Sequence, residues 1–498
     1  MTKSKKKEVN KTISNLSEQS LSEYVAGAML DYGSETVEER AIPDFRDGLK
    51  PVHRMILFAM YKLGLDHKGK FKKAARTVGE VLGKFHAHGD ISCYQAMVGL
   101  TGTKTSDNLK WRTKNTNVPL IEGFGNWGNF IDSAAAMRYT EARMSKLGDL
   151  LLLDPDGMAV MDTVKNFSED EDVPVILPAK LPLILLNGTQ GIAVGVSMSS
   201  PSFELKGVIE LTKRALAGET ITHKECAKTL KFVTAYGGHV VSKRKDLVPI
   251  FSGKGSAEWI PEYEFHPDKK MMMITSACPG LMSEAAIETL ADKCTKIKGV
   301  SDFSNETGKF GVRYEISFQR GLDDYAQQEI VDKVIAQCLT KKEGYDLGIT
   351  IRQTNGRAKF QRIDVPTILK MWAEWRISVE LKIIHRLIKI CEQKISRQKL
   401  YLKAIDCLDI IVKALKLKKK LDPEEYLVEH MKITAEEAHI ILEMKVRQLR
   451  SMERDAVVSR IKELEKELNT LVKDTKRPGK RCLAQLEHDE PILLAELG

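Results

Sequence analysis

Nine positions, Ile377, Leu381, Ile384, Ile388, Cys391, Ile395, Gln398, Leu402 and Ile405, follow one another at alternating steps of four and three. That spacing is the a/d seam of a coiled coil, with one polar interruption at Gln398. Pro366 precedes the run and the next proline is Pro423, so no ring blocks a single long helix between them. A second seam runs Val457, Ile461, Leu464, Leu468, Leu471. The two predict an antiparallel helical pair, with residues 416–452 as a compact helical knot between them. An all-β fold is thereby excluded, and much of the chain upstream is left to fold as something else.

The chain has 498 residues, which predicts two to four domains. Four zones separate by composition. Residues 1–35 form an N-terminal arm, lysine-rich at the start and then amphipathic from Leu16 to Leu30. Residues 36–155 are dense in Gly, His, Arg and Lys. Residues 156–365 mix Val/Ile-rich runs, turns and helical stretches, an α+β signature. Residues 366–476 read as helices and turns, and 477–498 as a C-terminal tail. No run of about 18 apolar residues exists, so no membrane span is expected. The start, Met1-Thr2-Lys3-Ser4-Lys5-Lys6-Lys7, lacks the apolar core of a secretory signal. The cysteines at 93, 226, 278, 294, 338, 391, 407 and 482 never form Cys-x-x-Cys, which argues against a zinc site or disulfide framework. Free thiols without a signal suggest a reducing compartment. Ser252-Gly253-Lys254-Gly255-Ser256 has the wrong spacing for a nucleotide-binding loop and reads as a turn. The net charge of +9 takes its meaning from where the basic residues cluster.

They cluster early. Arg40-Ala41-Ile42-Pro43-Asp44-Phe45-Arg46-Asp47-Gly48-Leu49-Lys50-Pro51-Val52-His53-Arg54 puts basic and titratable groups on a loop that can aim them at a phosphodiester. From Phe71 to Phe85 apolar residues recur with helical spacing, while Lys72, Lys73, Arg76 and Lys84 occupy the other face. The turn His86-Ala87-His88-Gly89-Asp90 follows, then a second helix from about Ser92. This fits a helix in a DNA groove with phosphate contacts at its flanks. His86 and His88 lack a third ligand, so phosphate or backbone hydrogen bonding is the better reading than a metal. A third cluster, Glu122-Gly123-Phe124-Gly125-Asn126-Trp127-Gly128-Asn129-Phe130, leads through Ile131-Asp132-Ser133 into Ala134-Ala135-Ala136-Met137-Arg138-Tyr139-Thr140-Glu141. Its glycines permit close backbone approach to a ligand. A tyrosine with a free pKa of about 10 is a poor nucleophile, but its phenolate is stabilised beside Arg138 and near a metal and can attack phosphorus. A tyrosine in such a string is also commonly just a buried ring.

These strings, with Asn187-Gly188-Thr189-Gln190-Gly191-Ile192-Ala193-Val194-Gly195 and Ile440-Ile441-Leu442-Glu443-Met444-Lys445-Val446-Arg447-Gln448-Leu449, resemble the breakage-and-reunion (A-type) subunit of type IIA DNA topoisomerases, similar to gyrase A and topoisomerase IV A, and do so in the family's order. The resemblance implies a multidomain α+β protein: a winged-helix DNA-cleavage domain over 36–155, an α/β tower domain over 156–365, and over 366–476 a long antiparallel coiled coil with a helical dimer gate near 425–452. It implies that Tyr139 forms a 5′-phosphotyrosine link and that Arg138 steadies the scissile phosphate. Arg40, Arg46, Lys50, His53, Arg54, Lys72, Lys73, Arg76, His86 and His88 fall where the family holds DNA. Ile192 falls where it inserts an isoleucine between base pairs to bend the duplex.

The implied unit is a homodimer, one tyrosine per strand, allowing duplex passage that relaxes or decatenates DNA. Mg2+ and ATP belong to a partner ATPase/TOPRIM subunit, one chain or two. Asp154-Pro155-Asp156, Asp170 and Asp172 lack a strand-borne glutamate and read as structural, so no metal ligand is expected on this chain. Cellular members of this A-type class continue into a β-pinwheel, and no such signature follows here. That, with an inserted stretch from Thr101 to Asn117, points to the medium subunit of a T-even-type phage enzyme acting in DNA replication in the host cytoplasm. A truncated bacterial gyrase A or topoisomerase IV A chain is the alternative. In cellular members a serine and an acid four residues on hold quinolones through a water–metal bridge, and Ile91 and Gln95 stand at those places. A tyrosine recombinase would need a later tyrosine and a preceding His-x-x-Arg. A non-cleaving DNA-bridging protein remains a rival.

Overall fold

The computed structural model describes residues 20–86, 88–104, 111–113, 116–128, 133–308, 311–352, 358–417, 422–443 and 454–497. The chain divides into two units, one of Met1–Asp154, Met161–Ala373 and His488–Gly498, the other of Pro155–Val160 and Glu374–Glu487. The architecture is mixed α/β.

The first unit begins with an exposed helix, Leu21–Thr36, closed at its start by a capping box between Ser20 and Glu23. Residues 16–19 of the expected amphipathic stretch lie outside the described residues. Next come three mutually packed helices, Pro51–Lys62, Ala74–Lys84 and Asp90–Leu100. Pro51 opens the first, where a missing N–H costs nothing. From Ile56 to Met60 every residue is buried, so this turn is enclosed on all sides. Against them lies a five-stranded sheet of order β1-β5-β4-β2-β3, with β1 Lys72–Lys73, β2 Thr101–Lys104, β3 Trp111–Thr113, β4 Ile121–Phe124 and β5 Glu141–Met144. Apolar periodicity alone carries helix back through Lys72 and Lys73. Instead these pair with Ala142 and Glu141 on β5, and the helix starts at Ala74. A long-range ladder has overridden local periodicity. The expected insertion becomes the β2–β3 hairpin, whose residues 105–110 lie outside the described residues.

Further along, an antiparallel sheet runs His239–Val240, Lys254–Ile260, Lys341–Asp346, Val196–Ser200, Thr189–Ala193. A second joins Tyr263–His266, Met271–Ile274, Tyr314–Phe318 and Val300–Asn305. Its strand Tyr314–Phe318 buries Tyr314, Ile316 and Phe318, every second residue, as a sheet with one face on a core requires.

The second unit is helical. The helix Val365–Asp406 is continuous, and Leu408–Leu415, Pro423–Met431, Ala435–Glu443 and Arg454–Asp474 follow. Ile384, Cys391 and Ile395 form one core with Leu464 and Leu471, flanked by half-buried Ile388 and Leu468, so both seams meet where their periods predict. The long seam does not persist. Past Gln398 the buried positions are Leu400 and Ala404 rather than Leu402 and Ile405, and they join the core of the helical knot with Leu427, Met431, Ala438 and Ile441. The polar residue marks a change of face. Part of the expected gate, residues 444–452, lies outside the described residues.

The expected tail is instead a helix, Pro478–Leu497, with Pro491 inside it. Its last turns carry Glu496, which takes Lys104 at 2.8 Å and Lys146 at 3.0 Å, Asp489, which takes Lys180 at 3.3 Å, and Glu490, which takes Lys213 at 2.6 Å.

Candidate nucleic-acid interface and active site

Strands β4 and β5 pair from Ile121↔Met144 to Phe124↔Glu141, and the segment between them carries Tyr139. Residues 129–132 of this segment lie outside the described residues. Tyr139 is 64 % exposed, so it is not a core ring. The Arg138 guanidinium lies 4.7 Å from the centre of that ring, a cation–π arrangement. Backbone bonds fix the turn: Tyr139 N–H donates to Ala136 C=O at 2.8 Å, Ala75 N–H to Met137 C=O, and Ala74 N–H to Thr140 C=O. Lys73 Nζ donates to the Tyr139 carbonyl at 3.4 Å and pairs with Glu141 at 2.9 Å. Thus Lys73, expected at DNA, lies beside Tyr139 with its charge partly satisfied. From beneath, Tyr94 reaches the carbonyl of Ala135 and the hydroxyl of Thr140. Trp127 Nε1 donates to the carbonyls of Phe124 and Glu141. Tyr94, Trp127 and Thr140 carry no signal in the sequence because their bonds go to backbone carbonyls and, between Tyr94 and Thr140, to each other.

His86 and His88 stack with ring centres 4.0 Å apart. Burial pushes His86 down to about 4, and neighbouring His88 and Arg40 add to the shift, which places Arg40 electrostatically beside this pair. Arg40, Lys72 and Arg76 are exposed. Lys50 donates through Nζ to the Gln190 carbonyl at 2.8 Å, tying the basic loop to the hairpin that bears Ile192, and burial lowers its pKa. His53 lines a cavity of about 620 Å³ together with Lys50, Asn187, Tyr236 and Glu343. Burial, with Lys50 and Arg54 nearby, pushes His53 down to about 3, so it is neutral near pH 7.

Two of the residues expected at DNA have acidic partners within the protein. Arg54 is buried and gives Nε and Nη2 to Asp47 at 2.6 and 2.9 Å, with a further bond to Leu49 C=O. Asp47, wholly buried, also accepts from the N–H groups of Leu49 and Leu177. Arg54 is therefore a structural staple, since releasing it would strand a buried carboxylate. Arg46 is half-buried and bidentate to Asp44 at 2.8 and 2.7 Å, while its carbonyl accepts from Trp372. Its guanidinium is committed within the loop.

Ile192 sits on the hairpin Thr189–Ala193/Val196–Ser200 and is 82 % exposed. Two glycines make that possible. Gly195 has φ +73° in the turn. At Gly191 an added Cβ would stand 2.5 Å from the Ala41 carbonyl, so only glycine lets the hairpin lie against that segment.

The acidic groups near residue 155 have basic or amide partners: Asp154 with Lys180 at 3.8 Å, Asp156 with Arg386 at 3.0 Å, Asp172 with Lys165 at 3.0 Å, and Asp170 with Asn166 at 2.7 Å. Among the described residues no group of three or more His, Cys, Asp or Glu is arranged to hold a metal ion. No helix there is long and apolar enough to cross a membrane.

Fold and site define a mixed α/β protein that presents an exposed tyrosine, a cationic helix turn and an apolar hairpin tip, and that continues into a long helical hairpin. Residues 40–486 match the family model for the A-type chain of DNA gyrase and topoisomerase IV, and the chain belongs to that family. It is similar to the DNA gyrase A protein of Synechocystis sp., with 31% identity over 450 residues covering 88% of this chain and 50% of that protein. The DNA gyrase A protein of Staphylococcus epidermidis is 32% identical over 495 residues, 96% of this chain and 52% of that protein. The DNA topoisomerase 4 A protein of Pseudomonas aeruginosa is 31% identical over 494 residues, 97% of this chain and 62% of that protein. The chain thus spans between half and about three-fifths of the length of these relatives.

Proposed function

We propose that this chain is the DNA-cleaving and resealing subunit of a type IIA DNA topoisomerase, with Tyr139 as nucleophile. The observation that carries the reading is an exposed phenol beside an exposed guanidinium on a turn held by backbone bonds. The Tyr139 oxygen attacks a backbone phosphorus, the O3′–P bond breaks, and the freed 3′-hydroxyl takes up a proton. The DNA is left joined through a 5′-phosphotyrosine ester. That ester retains the energy of the broken bond, so the reverse attack by the 3′-hydroxyl reseals the strand without ATP. Arg138 holds the negative charge on the phosphate oxygens. Arg40, Lys50, His53, Lys72, Lys73, Arg76, His86 and His88 hold the DNA, Lys50 being also tied to the hairpin, and Ile192 enters a base step.

On this reading the three-helix and sheet region is a winged-helix domain, the following sheets a tower, and the helical unit a coiled coil ending in a homodimer gate. Mg2+ and ATP are assigned to a partner ATPase/TOPRIM subunit, as membership of the gyrase A/topoisomerase IV A family suggests. When bound, that metal acts as a Lewis acid on the phosphate. The finer assignment is a phage medium subunit that works in DNA replication in the cytoplasm of a bacterial host, a reading that rests on the inserted stretch Thr101 to Asn117 in the sequence.

The test is detergent trapping of covalent protein–DNA adducts with the chain assembled with a gyrase B-type partner. Tyr139→Phe should abolish adducts while duplex binding persists. Adducts of undiminished yield in that variant would remove Tyr139 as nucleophile, and their absence in the unaltered assembly would favour a DNA-bridging protein.

A further inference from the structure

We propose that Tyr94 is a positioning residue for Tyr139, acting through its hydroxyl on both ends of the turn that presents the nucleophile. This rests on the reading of Tyr139 given above.

The turn has no apolar anchor of its own. From Ser133 to Tyr139 no residue is buried, and the first buried one is Thr140. No deeply buried side chain anchors Arg138 and Tyr139, which stack on each other, so hydrogen bonds carry most of the turn's placement. Most of those bonds join backbone atoms to the Lys73–Ala75 segment on one flank. Away from that flank Ala135 N–H donates to Asn126 C=O at 3.0 Å, and the side-chain anchor is Tyr94 Oη, 2.6 Å from Ala135 C=O and 2.8 Å from Thr140 Oγ1.

The polarity of this relay follows from valence. A carbonyl only accepts, so the single phenolic proton of Tyr94 goes to Ala135. Thr140 must then donate its hydroxyl proton to Tyr94 Oη. Both groups are buried, with Tyr94 8 % and Thr140 0 % exposed, so water cannot replace either bond cheaply. The Tyr94 ring is held in turn against Trp127, 5.7 Å between centres. Trp127 spans β4 and β5 through its two carbonyl bonds. The Asp90–Leu100 helix that carries Tyr94 starts directly after the His86–Gly89 turn. The helix that follows the histidine turn thus also sets the nucleophile, through two bonds to one atom.

The experiment uses the full chain in two settings. In the first, 3-fluorotyrosine replaces Tyr139 and its fluorine resonance is followed in the chain alone. In the second, single-turnover adduct formation is timed with the chain assembled with a gyrase B-type partner. Tyr94→Phe and Thr140→Val keep shape; the first removes both bonds of Tyr94 Oη and the second only the bond from Thr140. Each should slow adduct formation roughly tenfold or more, as small misplacements of a reacting group do. Duplex affinity should stay unchanged, and the fluorine resonance should shift or broaden. The double variant should be no slower than the worse single one, because both remove the same relay. Thr140→Ser, which restores the donor, should recover the rate.

Unchanged rate and resonance in Tyr94→Phe would overturn the proposal. So would losses that add in the double variant, follow a lowered melting temperature and are not recovered by Thr140→Ser, since those mark a merely structural tyrosine. Tyr139→Phe separates the two readings. Adducts persisting there would refute the nucleophile assignment, while the fluorine comparison would still decide whether Tyr94 fixes the turn.

Discussion

Ile192 exposes 82 % of a side chain that proteins ordinarily bury, for which covering is worth about 1.5–3 kcal/mol. Nothing in the hairpin fold needs it, because Gly191 and Gly195 already set the close approach and the turn. Ile192→Ala should therefore leave the melting temperature unchanged and reduce the bend imposed on a bound duplex, read by end-to-end fluorescence transfer. An unchanged bend with a lowered melting temperature would make it a fold residue. At this scale the sequence is partly legible. Glycine spacing singles out the hairpin, and the Ala-Ala-Ala-Met-Arg-Tyr string singles out the exposed tyrosine. Arg54 and Arg46 read as free cations because a loop sequence does not say which acid a guanidinium will find. Asp47, seven residues before Arg54, captures it in the interior.

Among elements, the helices with long uninterrupted periods are the most legible. The seams at 384–395 and 457–471 are both in place because their period alone dictates which face is buried. Boundaries set by distant partners are not legible: the Ala74–Lys84 helix starts late because Lys72 and Lys73 pair with β5. The Pro478–Leu497 helix reads as a tail because Pro478, Gly479 and Pro491 look like breakers. The Asp90–Leu100 helix carries its own prediction. Ile91, 71 % exposed, and Gln95, also exposed, share one face a turn apart. Isoleucine offers no hydroxyl and glutamine no charge to hold a hydrated cation. Quinolones should therefore trap cleaved DNA poorly in the assembled enzyme, and Ile91→Ser with Gln95→Glu should sensitise it. A cleavage assay over a quinolone titration checks this, and potent trapping of the unaltered chain with no effect of the double change would break the link between these positions and the drug.

For the whole molecule, charge is distributed with a purpose that the net +9 conceals. Lys104, Lys146, Lys180 and Lys213 come from widely separated stretches of sequence, and the last turns of one helix pair with all four through three carboxylates, Asp489, Glu490 and the shared Glu496. Exchanging these acids for Asn, Gln and Gln should strengthen non-specific duplex binding and steepen the plot of log affinity against log salt by roughly two to three units, near 0.9 per cation freed. An unchanged slope would show that the lysines cannot reach a phosphate even when released. These acids amount to counterions attached covalently to the protein. Mobile ions compete for the same four lysines, so rising ionic strength should loosen this helix end by the same law that weakens the grip of a protein on a nucleic acid. The last turns of the chain then behave as a bound polyanion in miniature.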